Sequence, residues 1–108
     1  MPAGITSQKL IVFGEIKIDK TAKTISISNK MIDFTGTEYE IFVHFAFNSN
    51  KIISKNTLAQ LITKSTNKAF DNFEIVYTHI KNIKRKLAEH GHKDYIKTIY
   101  GVGYLFQI

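Results

Sequence analysis

The 108-residue chain has no cysteine and a single proline, Pro2. Without thiols there is neither a disulfide framework nor a thiolate metal site, a usage in keeping with a reducing cytosol. Long hydrophobic runs are missing too. The longest wholly apolar stretch, Leu10 to Phe13, falls far short of the roughly 20 residues that span a bilayer, and the start lacks the three regions of a signal peptide. A soluble, cytoplasmic chain is the expectation. Acidic residues are scarce in one half only. Residues 1–50 hold five lysines and five acids, residues 51–108 ten Lys or Arg and four acids, so the net charge of +6 lies in the second half. An excess confined in this way points to a field aimed at a polyanion rather than to a general solubility device. The length suits one domain with its own core, read as 9–108, with residues 1–8 a flexible end or a leftover of cloning.

Short β-branched runs come first: Leu10 to Phe13, Ile16 to Asp19, Thr24 to Ser28 and Lys30 to Asp33. Ile16, Ile18, Ile25 and Ile27 alternate with polar residues, which predicts an antiparallel meander of four strands with one apolar face. The period changes at Phe34-Thr35-Gly36-Thr37-Glu38. Thr35 and Glu38 form a capping box, in which each side chain satisfies an orphan backbone N–H at a helix start, and Phe34 is placed to staple onto Tyr39. Tyr39, Phe42, Val43 and Ala46 make the stripe of this first helix, while Ile41, Phe45 and Phe47 leave it apolar almost all round. Lys51-Ile52-Ile53 is one short strand. Ser54 then caps a second helix from Lys55 to about Thr63, and Lys64 to Asn72 reads as a loop.

The stretch from Phe73 to Leu87 predicts a third helix, opened by a second cap signature, Asp71 with Glu74. Phe73, Val76, Ile80, Ile83 and Leu87 recur at three- and four-residue spacing and face a core. Glu74, Ile75, Thr78, Lys81, Asn82 and Arg85 lie opposite, His79 and Lys86 on a flank and Lys84 near the stripe's edge. Short polar groups, amides and cations on one helix face are the composition of a major-groove reader, although many charged helix faces only solvate a protein. Ile75 has two readings, a contact to a ligand or a local staple with Phe70. His90-Gly91-His92-Lys93 supplies a left-handed C-cap with cations at the negative end of the helix. Tyr95 to Ile108 forms two strands around Tyr100-Gly101-Val102-Gly103, a hairpin. The whole is α+β, in the element order of a winged helix-turn-helix: an N-terminal four-stranded antiparallel sheet, three helices and a C-terminal β-hairpin wing.

Four segments also carry a resemblance. Phe34-Thr35-Gly36-Thr37-Glu38-Tyr39, Ile53-Ser54-Lys55-Asn56-Thr57-Leu58, His79-Ile80-Lys81-Asn82-Ile83-Lys84-Arg85-Lys86-Leu87 and Ile96-Lys97-Thr98-Ile99-Tyr100-Gly101-Val102-Gly103-Tyr104 resemble, in order and spacing, the OmpR/PhoB-type effector domains of bacterial two-component response regulators. The resemblance covers about Val12 to Ile108. It implies transcription regulation in a phosphorelay, the third helix in the major groove, the wing on the minor groove or backbone, and either a receiver domain in the full-length protein, if this is a fragment, or a stand-alone relative. It also implies RNA polymerase contact through the loop before the third helix, here Ser65, Thr66, Asn67, Lys68, Ala69 and Phe70. Departures from the family pattern are Gly36 for proline, Thr63 for tryptophan, Tyr100 for the wing arginine, and Asn82 and Lys84 for arginines on the helix.

Together these readings assign base reading to Thr78, Lys81, Asn82 and Ile75. Backbone contacts fall to His79, Lys84, Arg85, Lys86, Lys55, Asn56, Thr57, Lys97, Thr98 and Tyr100. The partner is double-stranded DNA, bound sequence-specifically by a monomer that pairs on tandem half-sites; no cofactor is expected. His90 and His92 lack a third ligand for a metal. Ser54, His79 and Asp71 sit on different elements with no nucleophile turn, so no enzyme is expected. RNA is disfavoured because a helix does not fit the narrow A-form major groove. The rival reading is a winged helix used as a protein-interaction module, which the cations of the third helix oppose.

Overall fold

The structure is a computed structural model that describes residues 10–69 and 72–108. Four strands, β1 (Leu10–Phe13), β2 (Ile16–Asp19), β3 (Thr24–Ile27) and β4 (Lys30–Ile32), form an antiparallel sheet in sequence order. Its register sets Ile16 opposite Ile27 and Ile18 opposite Ile25, which in turn faces Ile32. The alternation thus puts all five isoleucines on one buried face. Ser28 and Asn29 both take positive φ in the two-residue β3–β4 turn, and the Ser28 hydroxyl donates to Glu15 Oε1 at 2.6 Å.

Helix α1 (Gly36–Phe47) begins at the expected capping box: Thr35 Oγ1 accepts from the Glu38 N–H at 3.2 Å and Glu38 Oε1 accepts from the Thr35 N–H at 2.9 Å. Phe34 reaches past the expected staple, its ring 5.2 Å from that of Phe42. Phe42 is also the hub of the core, 5.2 Å from Phe106 and 6.5 Å from Tyr95, so α1 is clamped between the meander and the C-terminal strands. Phe47, read as part of an all-round apolar helix, is about half exposed, with Phe13 edge-on to its ring and the Lys20 ammonium over it.

Strand β5 (Ile52–Ser54) leads into α2 (Lys55–Thr66), then α3 (Glu74–Glu89), β6 (Ile96–Ile99) and β7 (Gly103–Phe106). The hairpin does not stand alone: β7 lies between β5 and β6 in a three-stranded sheet. Gly103 makes the close pairing with β5 possible, since a Cβ there would meet the Ile53 carbonyl oxygen at 2.2 Å. Helix α2 runs three residues beyond its expected end. Lys64, Ser65 and Thr66 are helical, the Thr66 hydroxyl donates to the Ile62 carbonyl at 2.8 Å, and Asn67 closes the helix at φ 59°. The loop to α3 therefore starts at Asn67, not Lys64. Residues 1–8, Phe70 and Asp71 lie outside the described residues, and with them the reading of the N-terminal end, the Asp71 cap and the Phe70 staple.

Candidate nucleic-acid interface

Helix α3 packs by Val76, Ile80, Ile83 and Leu87, all buried, against α1 and α2. Phe73 stands at its N-cap without a side-chain cap bond, and Asn72 Oδ1 accepts from the Glu74 N–H at 2.9 Å. At the other end the His92 N–H donates to Leu87 O and the Gly91 N–H to Ala88 O, both at 3.0 Å, with Gly91 at φ 75°. That pair of bonds is a Schellman motif, available because glycine tolerates the left-handed backbone. Past it His90 and His92 stack in parallel, 6.3 Å apart, and no group of three metal-ligating side chains occurs among the described residues.

With the inner stripe fixed, Thr78, Lys81 and Arg85 project outward and exposed, and Asn82 is half-buried beside them. Ile75 is half-buried and packs against the core. The His79 ring Nδ1 bonds the Ile75 carbonyl at 2.8 Å. A carbonyl only accepts, so Nδ1 carries the proton, and Nε2 donates to a phosphate only when the ring is protonated.

The cations separate into three kinds. Lys84 pairs with Asp94 at 3.2 Å and Arg85 with Glu89 at 3.0 Å, exposed pairs worth little that a phosphate displaces readily. Lys81 has no acidic partner among the described residues. Lys86, expected on the DNA backbone, turns the other way. Its ammonium donates to Glu38 Oε1 at 2.6 Å and to the Asp33 carbonyl at 2.7 Å, with the two side chains only 16% and 4% exposed. The flank of α3 that carries Lys86 faces the N-terminus of α1, and the capping glutamate buried there needs a cation.

At the start of α2, Ser54 caps the helix by accepting from the Thr57 N–H at 3.1 Å, and the two hydroxyls lie 3.0 Å apart, so Thr57 serves the cap rather than a free contact. Asn56 is exposed. Lys55 is held over the rings of Phe73 and Tyr77 and donates to the Tyr77 hydroxyl at 3.2 Å. Tyr77 itself, 46% exposed, was not among the expected site residues. It lies a quarter-turn from the apolar stripe, where helical periodicity assigns no face. On the wing, Lys97 and Thr98 are exposed on β6 and Tyr100 is 91% exposed at the turn. In the α2–α3 connection Lys68 and Ala69 are exposed, Ser65 Oγ lies 2.9 Å from Thr37 Oγ1, and only Asn67 onward is loop. Tyr77 of α3, Lys55 in the first turn of α2 and Thr98 and Tyr100 of the wing line one cleft.

Residues 29–106 match the family described as transcriptional regulatory protein, C terminal. The chain belongs to this family. Its members' place in longer proteins shows in the relatives: response regulator ArlR of Staphylococcus haemolyticus is 29% identical over 98 residues, covering 91% of this chain and 44% of that protein. Transcriptional regulatory protein SrrA of Staphylococcus aureus is 27% identical over 106 residues, covering 94% and 42%. The chain spans less than half the length of these relatives. Among solved structures, response regulator DrrB of Thermotoga maritima, an OmpR/PhoB homolog, has a TM-score of 0.75 at 32% identity, covering 93% of this chain and 45% of that one. The AdeR DNA-binding domain, solved with an intercistronic region, has a TM-score of 0.78 at 22% identity over 90% and 98%, a likeness of fold. The chain is thus the C-terminal domain type of a transcriptional regulatory protein. No helix among its described residues is long and apolar enough to cross a membrane.

Proposed function

We propose that this effector domain reads double-stranded DNA with α3 in the major groove, Thr78, Lys81 and Asn82 directed at base edges and the wing on the adjoining backbone. The observation that carries the reading is the division of α3: a buried apolar stripe holds the helix rigidly, while opposite it Thr78, Lys81 and Arg85 stand exposed and clear of the fold. Lys84, Arg85, Lys97, Thr98, Tyr100, Asn56 and Lys55 take phosphates, and His79 joins them when protonated; Lys86, Thr57 and Ile75 are withdrawn from the contact set. Tyr100 is uncharged and so packs or hydrogen-bonds against the backbone instead of seeking a narrow minor groove as arginine does.

In the full-length protein a receiver domain controls this domain through a cytoplasmic phosphorelay. RNA polymerase is met through the exposed segment that includes Asn67, Lys68 and Ala69. The domain itself is a regulator and not a catalyst. It is monomeric free and pairs on tandem half-sites, since its apolar helix stripes are used by its own core.

Salt titration tests the reading. Lys55, Lys84, Arg85 and Lys97 facing phosphates give a slope of log K against log salt of about −3 to −4 on duplex DNA. A flat response would favour a protein-interaction module instead.

A further inference from the structure

Between α3, the first turn of α2 and the wing lies a cleft of about 350 Å³, lined by Lys55, Tyr77, Thr98, Tyr100 and the glycine-rich wing backbone. Among the described residues that line it, one ammonium and several hydroxyls face it and there is no carboxylate. Lys55 is not a loose cation there. Its Nζ sits 5.1 Å from the Phe73 ring centroid, 5.7 Å from that of Tyr77 and 3.2 Å from the Tyr77 hydroxyl, to which it donates. Both rings attract the ammonium by their negative faces and fix its long stem. Because the phenol oxygen accepts from Lys55, the phenol proton remains free to donate, and two further ammonium protons do as well. A charge-assisted bond of this kind polarises the phenol and strengthens the donation it makes onward. Among the described residues these donors have no further acceptor and the charge has no counter-ion, an arrangement that suits an anion.

Resting on the major-groove reading above, we propose that Lys55 and Tyr77 act as one unit that grips a single backbone phosphate of the DNA strand passing between α3 and the wing. Lys55 supplies the charge. Tyr77 positions it and adds a neutral donor. The placement matches the ligand: a helix in the major groove and a wing on the neighbouring backbone leave the sugar-phosphate strand between them, where this cleft opens. Tyr77 thereby joins the set of contact residues, and Lys55 becomes a preorganised contact rather than a floating surface lysine.

The test measures fluorescence anisotropy on a selected duplex and on copies in which single phosphates of that strand are replaced by neutral methylphosphonates. Wild type should lose affinity about tenfold at one position, the worth of a hydrogen-bonded charge contact. Lys55→Gln should bind the native duplex about tenfold more weakly, be indifferent to the methylphosphonate at that position, and show a salt slope shallower by about 0.9. Tyr77→Phe keeps the ring under Lys55 and guards against a folding defect. It should weaken native binding by roughly threefold, leave the slope unchanged and blunt the methylphosphonate effect at the same position. Lys55→Gln retaining wild-type sensitivity at every phosphate, or Tyr77→Phe indistinguishable from wild type, would overturn the proposal while leaving DNA binding intact. Wild type that bound no duplex would overturn the DNA reading as well.

Discussion

Lys86→Gln removes an ammonium lying 2.6 Å from Glu38 Oε1 and 2.7 Å from the Asp33 carbonyl. Among the described residues Glu38 is then left with the Thr35 N–H alone, at 2.9 Å. Stripping a buried carboxylate of its cation costs about 3–5 kcal/mol. The glutamine amide can restore one neutral hydrogen bond, worth about 1 kcal/mol, so a net loss of about 2–4 kcal/mol is expected. Glu38→Gln added to it should recover much of the loss, because glutamine serves at the third helical position of a capping box as well as glutamate and no unpaired charge remains. The coupling between the two changes should be about 2 kcal/mol in a double-mutant cycle. Urea unfolding followed by helical circular dichroism reads both, as a shift of midpoint at unchanged slope. In DNA titrations below its melting range, Lys86→Gln should leave the salt slope unaltered. Wild-type stability together with a slope shallower by about one would refute the reasoning, by showing that Lys86 leaves Glu38 for a phosphate.

Asn82 offers a donor and an acceptor on one plane, as adenine's N6 and N7 require, so Asn82→Ala should cost about 1–3 kcal/mol on the best site and relax preference at one base pair, with affinity for scrambled duplex nearly unchanged. Equal weakening on both duplexes would mean that Asn82 meets a phosphate. Gly103→Ala places a Cβ 2.2 Å from the Ile53 carbonyl oxygen and should cost about 3 kcal/mol by forcing β5 and β7 apart, read by denaturation; a neutral result would contradict the tight pairing. The Nε2 of His92 is buried without a partner among the described residues, and burial first, then the charges of His90 and Lys30, hold its pKa below the usual 6.5, with Glu15 opposing. The unfolded chain therefore takes up this proton first on acidification, so the contribution to stability is complete above about pH 6.5 and is lost as pH falls through the folded-state value. His92→Leu should flatten that part of the acid limb, and an unchanged limb would assign it to other groups.

The features legible in the sequence are those whose cause is local. Alternating isoleucines dictate the sheet face, Thr35 and Glu38 start α1 through bonds three residues apart, and Val76, Ile80, Ile83 and Leu87 bury one stripe of α3 at 3.6-residue spacing. The misreadings arise where a distant element decides. Ser65 and Thr66 have weak helix propensity, yet α2 continues through them, with Ser65 bonded to Thr37, 28 residues away. The pairing of β5 with β7 joins segments about fifty residues apart. Lys86 looked like its neighbours Lys84 and Arg85, because periodicity gives a flank and not what packs against that flank. Its direction is set by Glu38, 48 residues away. Tyr77 escaped for the complementary reason. At the boundary between inner and outer faces, only the fold shows that it adjoins Lys55 and the wing.

Selection of bound sequences from random duplexes, followed by affinities of the selected and a scrambled duplex at physiological salt, tests sequence-specific DNA reading by α3 most directly. The expected result is one motif of A·T-rich half-sites about one helical turn apart, bound about a thousandfold more tightly than the scrambled duplex. In the Asn82→Ala variant that preference should fall at a single base pair. Recovery of no motif, with selected and scrambled duplexes bound alike, would contradict it.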